Sequence, residues 1–389
     1  MKVLTTAIRY PPAPGGVETH AHEVARELVS RGHQVRVYTS DLYREHPFEH
    51  MEGPPTDVDG VEVARSRAYT LPEAFHFTFM PGMLPMLREP ADVLHAHSFG
   101  YFHTNLTALR RRLRGTPLVV TPHFHPADTM EGGWARQRMR RFYDTHLAPW
   151  VFDRADAIIA VSRTELSSMA HHINDLSKVR LIPNGIHFDR FEELPSQGSF
   201  KDQRGIGGPF LLYVGRMAVN KRMEVVINAM PSLLEEHGDL SLVIAGPDDG
   251  VGETWRELVE ELDLGEHVRF EGFLEEGDKL AAYQDADVFV LPSEWEAFGI
   301  VLLEAMACRT PCVCADRGGA PEVVEDGVTG MVAPYGDVEA WTSMLSELLG
   351  DDALRRRMGE QGRQRVRERF VWPAIVDQIE QVYREVTGG

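Results

Sequence analysis

Asp287-Val288-Phe289-Val290-Leu291-Pro292, then Ser293-Glu294-Trp295-Glu296-Ala297-Phe298-Gly299-Ile300-Val301-Leu302-Leu303-Glu304-Ala305-Met306-Ala307, decides the fold class. The first run is apolar, β-branched and aromatic, and it stops at Pro292, as a buried parallel strand does. A short loop carries Glu296. Gly299 opens an apolar helix on which Ile300, Leu303, Glu304 and Ala307 share one face at helical spacing. One carboxylate is thus expected in a loop at a strand's carboxyl end, and a second about one turn inside the helix. In an open α/β sheet that edge is where ligands bind. The helix start also offers unpaired N–H groups and a positive dipole end to an anion. A carboxylate on an otherwise apolar helix face is costly unless a partner uses it. Glu304 is therefore a structural cap or ion pair, or a ligand contact.

Upstream, the pattern repeats. The strand Phe210-Leu211-Leu212-Tyr213-Val214 runs into Gly215-Arg216-Met217-Ala218-Val219-Asn220-Lys221, and a helix follows with Met223, Val226, Ile227, Met230, Leu233 and Leu234 on its buried face. Arg216 and Lys221, five residues apart at a strand end, suit an anion, Arg as a fork of donors and Lys as a point charge. A solvated basic turn is the plainer alternative. Two further βα units follow, from Leu240-Ser241-Leu242-Val243-Ile244-Ala245-Gly246 and from Val268-Arg269-Phe270, the latter entering the turn Glu271-Gly272-Phe273-Leu274.

The first half reads the same way. Val3 to Ile8 is a strand, and the loop through Gly15-Gly16 leads to a helix from about Val17 with Val17, Ala21, Val24, Ala25 and Leu28 on one face. Paired glycines let backbone amides approach a phosphate, though many α/β turns carry glycine for steric reasons alone. Residues 41–90 are predicted to be long loops with a strand at Val61-Glu62-Val63 and a helix from Pro81 to Arg88. Two strands end in histidine, Ala91-Asp92-Val93-Leu94-His95-Ala96-His97 and Pro117-Leu118-Val119-Val120-Thr121-Pro122-His123. His-x-His occurs at His95/His97 and His123/His125, but no carboxylate or thiol completes a metal set locally. No metal is expected. Asp156 to Ser162 is a further strand, with Ser162 and Glu165 spaced as a capping box. Pro183-Asn184-Gly185 suggests a positive-φ turn, and residues 189–208 read as a linker. Near the C-terminus, Ile375, Val376, Ile379, Val382, Tyr383 and Val386 form an apolar stripe that needs a partner surface.

The chain has 389 residues, which suggests two domains or one large one, and its 43% hydrophobic and 25% charged content is ordinary for a globular protein. A formal charge of −19 argues against a nucleic-acid partner. Cys308, Cys312 and Cys314 crowd one strand without metal or disulfide spacing and read as buried thiols in a reducing compartment. The N-terminal apolar run is too short for a signal peptide, and none is long enough to span a membrane. A cytoplasmic protein is expected.

These motifs resemble the retaining GT-B glycosyltransferases of family four (glycosyl transferases group 1). Glu296 and Glu304 match the family's Glu-x7-Glu, with Ala297 where its pattern has Gly. The resemblance takes in Gly15-Gly16-Val17-Glu18, Thr121-Pro122-His123, Pro183-Asn184-Gly185-Ile186, Gly215-Arg216 with Lys221, and Gly318-Gly319-Ala320-Pro321-Glu322, in the family's order over nearly the whole chain. His187 stands where the family has Asp, and Arg309 where it usually has Gly.

The resemblance implies an α/β protein of two Rossmann-like domains facing an inter-domain cleft. Residues 1–188 form the acceptor domain, completed by a C-terminal helix over 373–389 that crosses back, and residues 189–372 form the donor domain. It implies retaining transfer of a sugar from a UDP- or GDP-sugar to an acceptor hydroxyl, with neither metal nor cofactor. His123, Glu296, Arg216 and Lys221 are the expected catalytic set. Glu296 would lie against the donor sugar, Glu304 on the ribose, Arg216 and Lys221 on the diphosphate, and Phe273 toward the base. Gly215, Phe298, Gly299 and Ile300 belong to the same donor site, Asn184 and Gly16 to the nucleotide-sugar or acceptor contacts. Competing readings are a nucleotide-sugar epimerase of related two-domain fold and a nucleotide-sugar-binding protein without catalysis. The acceptor is a sugar, a lipid-linked molecule or a small molecule. Leu109-Arg110-Arg111-Arg112-Leu113-Arg114 and Trp134 to Tyr143 mix Arg with apolar residues. They suit either peripheral contact with an anionic membrane at the inner face or pairing with surface acids.

Overall fold

The computed structural model describes residues 1–45, 48–70, 78–126 and 134–388, without the side chains of residues 134–137. The chain divides into two compact units, Met1–Asn184 with Trp372–Gly389, and Gly185–Val371.

The first unit is built on an eight-stranded sheet. From one edge its strands are Val179–Leu181, Ala157–Ala160, Leu118–Thr121, Val93–His97, Lys2–Thr6, Gln34–Ser40, Val61–Ser66 and Asp57–Val58. All pair in parallel except the last two. Neighbouring residues face opposite sides of the sheet, and both sides are buried. Leu4, Leu94, Val120 and Ile158 lie in one core, while Val3, Val93, Val119 and Ile159 lie in the other. This is why Leu118–Thr121 and Ala157–Ala160 read as apolar runs, whereas Val61–Ser66, nearer the edge, alternates with polar residues such as exposed Glu62.

The C-terminal helix Trp372–Thr387 covers the second of these faces with Trp372, Ile375, Val376, Ile379, Val382 and Tyr383. It meets Val24 and Leu28 of the helix Gly16–Ser30 in the same core. Each such large side chain, fully buried, contributes about 1.5–3 kcal/mol. Charged groups pin its flank. Arg31 binds Glu380 at 2.8 Å and Asp377 at 2.6 Å, and His33 Nε2 meets Glu380 at 2.5 Å.

The second unit has a six-stranded, wholly parallel sheet in the order Val268–Gly272, Ser241–Ala245, Phe210–Val214, Val288–Leu291, Cys312–Ala315, Gly330–Ala333. In sequence numbering this is 3-2-1-4-5-6, the doubly wound order, with its switch point between Phe210–Val214 and Val288–Leu291. Cys308, Cys312 and Cys314 are buried and free.

Several expectations are corrected. Pro81–Leu87 is a 3-10 helix, because Pro81 and Pro85 favour short turns over an α-helical ladder. Residues 189–208 are no open linker. They hold the turn Phe188–Phe191 and the helix Ser199–Arg204, with Phe191 and Phe200 buried. Neither Asn184 nor Gly185 takes the left-handed conformation. Of the Arg-rich stretch in the helix Phe102–Arg114, Arg110 is buried and donates to the carbonyls of Met86 and Glu89, while Arg111 binds Asp156 at 2.7 Å. Arg140 binds Asp144 at 2.7 Å. Trp134 to Gln137, from the other stretch, lie outside the described side chains. Among the described residues no helix is long and apolar enough to cross a membrane.

Candidate functional site

In the second unit, Phe210–Val214 and Val288–Leu291 are parallel neighbours with Leu212 opposite Phe289. Gly215 and Pro292 therefore leave the sheet on the same edge, at the switch point. The two loops are tied there by the Glu294 N–H, which donates to the Asn220 carbonyl at 2.8 Å. Glycines make the close approaches. A Cβ on Gly246 would stand 1.9 Å from the Gly215 carbonyl oxygen. A Cβ on Gly318 would meet the Glu296 nitrogen at 2.6 Å, and the Gly319 N–H donates to the Glu296 carbonyl at 2.7 Å.

Lys221 closes the short turn Val219–Lys221, and its ammonium sits 2.5 Å from Glu296 Oε1. Ser293 Oγ donates to the same oxygen at 2.9 Å. Both members of the ion pair are largely buried, with 14% and 17% of their side chains exposed. Arg216 is more open and pairs with Asp249, while the Tyr213 hydroxyl donates to the Arg216 carbonyl at 2.9 Å. Gly299, at φ 97°, caps the helix Ile300–Ala307. Phe298 is buried with its ring 5.7 Å from that of Phe370. Phe273 is 70% exposed.

Glu304 is not left alone on its apolar face. Lys279 Nζ donates to Oε1 at 3.0 Å and the Tyr283 hydroxyl to Oε2 at 2.9 Å. Burial lowers the Lys279 ammonium, but Glu304 and Glu276 outweigh it and leave it above its ordinary value. Burial, then the Glu304 charge, pushes the Tyr283 phenol well up, so it stays a donor. Lys279 and Tyr283 lie on one face of the helix Glu276–Asp285. The sequence displays that i,i+4 pair, but nothing in it points to Glu304 as the target.

In the first unit the strand order again places a switch point, between Lys2–Thr6 and Val93–His97. Gly15, at φ 152°, precedes Gly16 at the helix start, and a Cβ on Gly15 would strike the Glu18 carboxylate at 2.1 Å. His123 follows the next strand at φ 45°, a strained conformation for a side-chain-bearing residue. The Phe124 N–H beside it donates to buried Glu165 at 2.6 Å. Glu165 also takes the Val161 N–H at 2.6 Å, and Ser162 caps the helix by accepting from the Glu165 N–H at 3.0 Å.

The structure gathers His20, His97 and His123, which the sequence separates. Ring centres lie 5.4 Å apart for His20 and His97 and 4.8 Å apart for His20 and His123. Asn184 accepts from His20 Nδ1 at 2.7 Å. His95 is engaged at both nitrogens, by the Tyr383 hydroxyl at 2.6 Å and Thr121 Oγ1 at 2.8 Å. Burial lowers the imidazoles of His95 to about 3 and His20 to about 4. His97 and His123 are also pushed well down, first by burial and then by neighbouring rings. All are neutral at pH 7.

Comparison with known proteins gives the family. The profile for glycosyl transferases group 1 matches residues 197–365, and that for Glycosyltransferase Family 4 matches residues 14–190. A phosphatidyl-myo-inositol mannosyltransferase of Mycobacterium leprae is 30% identical over 387 residues, 96% of this chain and 94% of that protein. The chain belongs to the family-four glycosyltransferases, group 1. A glycogen synthase of Mycobacterium tuberculosis is 29% identical over 98% of this chain and 94% of its own length. Among solved structures, a sucrose-phosphate synthase of Thermosynechococcus elongatus superposes with a TM-score of 0.81 at 24% identity, covering 100% of this chain and 99% of that one. The Anabaena protein HepE, solved with UDP and glucose, also gives 0.81, at 18% identity, covering 99% and 100%. These neighbours establish the GT-B fold.

Within this glycosyltransferase, Arg309 takes φ 67°, the left-handed region that favours glycine. Its guanidinium binds Glu360 at 2.8 Å, and a Cβ on Gly359 would stand 2.0 Å from its carbonyl oxygen. The backbone that a glycine would serve is thus kept although the residue differs. His20 is the site residue that sequence reasoning passed over. It lies four residues beyond Gly16 on the same helix, one turn in, and only the tertiary fold brings His97 and His123 to it.

Proposed function

We propose that this glycosyltransferase moves a sugar from a UDP- or GDP-sugar to an acceptor hydroxyl with retained anomeric configuration and without a metal ion. The carrying observation is the Lys221–Glu296 pair, two nearly buried opposite charges side by side at the switch point of the second sheet. Breaking a sugar–phosphate bond creates one anion and one incipient cation, and this pair offers a partner to each. Lys221, Arg216 and the helix start at Gly299 stabilise the departing diphosphate, in the manner of preorganised donors aimed at developing charge. Glu296 orients the sugar hydroxyls and places negative charge near the sugar. Glu304, held by Lys279 and Tyr283, accepts the ribose hydroxyls, and exposed Phe273 faces the base. Gly215, Phe298 and Ile300 shape the donor pocket. In the first unit Gly16, Asn184 and neutral His123 serve the diphosphate or the acceptor, His123 as a hydrogen-bond donor rather than a cation. The acceptor oxygen attacks on the face from which the diphosphate leaves. Its proton passes to the leaving phosphate oxygen, the C1–oxygen bond to the donor breaks, and a new C1–oxygen bond forms.

The test is turnover of a panel of UDP- and GDP-sugars with and without chelator, with product anomers read by NMR. The acceptor panel starts with inositol and inositol phosphates, because a Corynebacterium efficiens relative at 30% identity is a D-inositol 3-phosphate glycosyltransferase. An α-linked product from an α-linked donor, unaffected by chelator, supports the reading. Inversion, or a chelator-abolished rate, overturns it. Free nucleotide and a sugar with an inverted stereocentre, formed without acceptor, would make the protein an epimerase.

A further inference from the structure

His20, His97 and His123 present their ring nitrogens to one another inside the first unit. One nitrogen from each lies within 4.8 Å of the others, and all three residues are buried. His20 Nε2, His123 Nε2 and both nitrogens of His97 have no hydrogen-bond partner there. Buried polar atoms without partners are rare, and a cluster of them at one point needs a cause. We propose that these three imidazoles form a binding site for one borderline transition-metal ion of the zinc class, distinct from any metal on the donor diphosphate.

The ligand chemistry fits. Imidazole nitrogen selects zinc, cobalt and nickel, whereas magnesium requires oxygen. Asn184 Oδ1 can only accept, so His20 carries its hydrogen on Nδ1 and leaves a lone pair on Nε2. That is the outer-shell arrangement by which metal-bound histidines are oriented. His97 is anchored through its backbone, its carbonyl accepting from His103 Nε2 at 2.6 Å. His95 is excluded as a fourth ligand because Tyr383 and Thr121 occupy both of its nitrogens. Three protein nitrogens with a fourth position open is the pattern of zinc sites that accept an exogenous ligand. Tetrahedral nitrogens at about 2.1 Å from zinc stand about 3.4 Å apart, so the rings need to draw in by roughly an ångström.

The site shares His123 with the reaction proposed above, and on that reading zinc should suppress transfer by withdrawing His123. The site itself is tested without activity. Tag-free, full-length protein is titrated with Co2+ and then Zn2+, with metal counted after gel filtration and the visible cobalt bands recorded. One Co2+ per chain with intense tetrahedral-type bands, displaced by Zn2+ and untouched by Mg2+, is expected. His20→Gln and His97→Gln should each lose at least tenfold in affinity, Asn184→Ala about tenfold to a hundredfold, and His125→Gln nothing. Circular dichroism and thermal melts show which variants fold. If His97→Gln does not, His20→Gln and Asn184→Ala carry the test. No stoichiometric cobalt binding, or binding unchanged in the folded variants, overturns the site and leaves the transfer reading untouched. Metal bound as proposed, with zinc-loaded protein fully active, keeps the site and removes His123 from catalysis.

Discussion

Lys221→Ala tests the donor site most directly, because its effect has two parts of calculable size. At 2.5 Å and an effective dielectric near 20, Coulomb's law gives roughly 6–7 kcal/mol of attraction between Lys221 and Glu296. Desolvation of both groups offsets most of this, and a charge-assisted bond contributes about 1.5–3 kcal/mol net. In the ligand-free enzyme, the Ser293 hydroxyl stays on Glu296 at 2.9 Å when Lys221 is removed. A stability loss of about 1–2 kcal/mol follows, or roughly 2–4 °C in Tm per kcal/mol for a unit of this size. With nucleotide, the lost diphosphate contact should weaken UDP or GDP binding by about 1.5–3 kcal/mol, which is about tenfold to 150-fold in Kd. Glu296→Ala acts oppositely on free nucleotide. It releases Lys221 from its partner, so UDP or GDP should bind as well as or better than before while turnover falls. Isothermal titration calorimetry at fixed ionic strength reads both. A Kd within twofold of wild type for Lys221→Ala, or nucleotide affinity collapsing in Glu296→Ala, would refute the division of labour.

Four further outcomes are expected. Glu304→Ala should weaken UDP or GDP and their sugars equally, by about 1–3 kcal/mol, and wild-type nucleotide affinity would remove Glu304 from the ribose. Arg309→Gly should be neutral or stabilise by up to about 1 kcal/mol, since relief at φ 67° offsets the added chain entropy, and denaturant unfolding that shows a clear loss contradicts the strain argument. Burial raises the Glu380 carboxyl, but hydrogen bonds from Arg31 and His33 outweigh it and leave the group below its ordinary value. Its stabilisation is therefore present above the ordinary carboxylate value of about 4.3 and lost as pH falls from there through the lower folded value, and Glu380→Gln should flatten that decline in a pH series of thermal melts. Arg112, Arg114, Arg138 and Arg141 remain exposed beside Leu113 and Phe142, so flotation with anionic vesicles at low salt tests peripheral membrane contact, and protein left wholly in the soluble fraction removes it.

The architecture was legible wherever local pattern and chemistry coincide. Val288–Leu291, its proline stop, Glu296 and the Gly299 helix start lie within a few residues, so one stretch specified a strand, the loop at its carboxyl end and a helix start. The partners of those carboxylates were less legible. Glu304 meets Lys279 and Tyr283 from a preceding helix, and Lys221 reaches Glu296 across 75 residues. Such pairings depend on strand order, which sequence spacing does not encode. Arg110 shows the same limit in reverse. It reads as surface charge, yet it is buried because two carbonyls, of Met86 and Glu89, need a donor. Pro183-Asn184-Gly185 suggests a positive-φ turn, but Asn184 is not left-handed, and its side chain accepts from His20, 164 positions away, a pairing that no local pattern announces.

The return of the last helix to the first unit inverts the order of synthesis and completion. The unit encoded in one piece, Gly185–Val371, can close as soon as its own residues have left the ribosome. The unit translated first cannot. His95 waits for the Tyr383 hydroxyl and Leu28 for Val382 and its neighbours, all encoded after the second unit. Until then an apolar sheet face stands uncovered, the kind of surface that aggregates during slow synthesis. The two crossing segments are joined just inside the second unit, where the Ile186 N–H donates to the Phe370 carbonyl at 2.8 Å. A folded second unit therefore holds the departure point of the last helix beside the chain leaving the first. It turns a search over nearly the whole chain length into a short-range docking step.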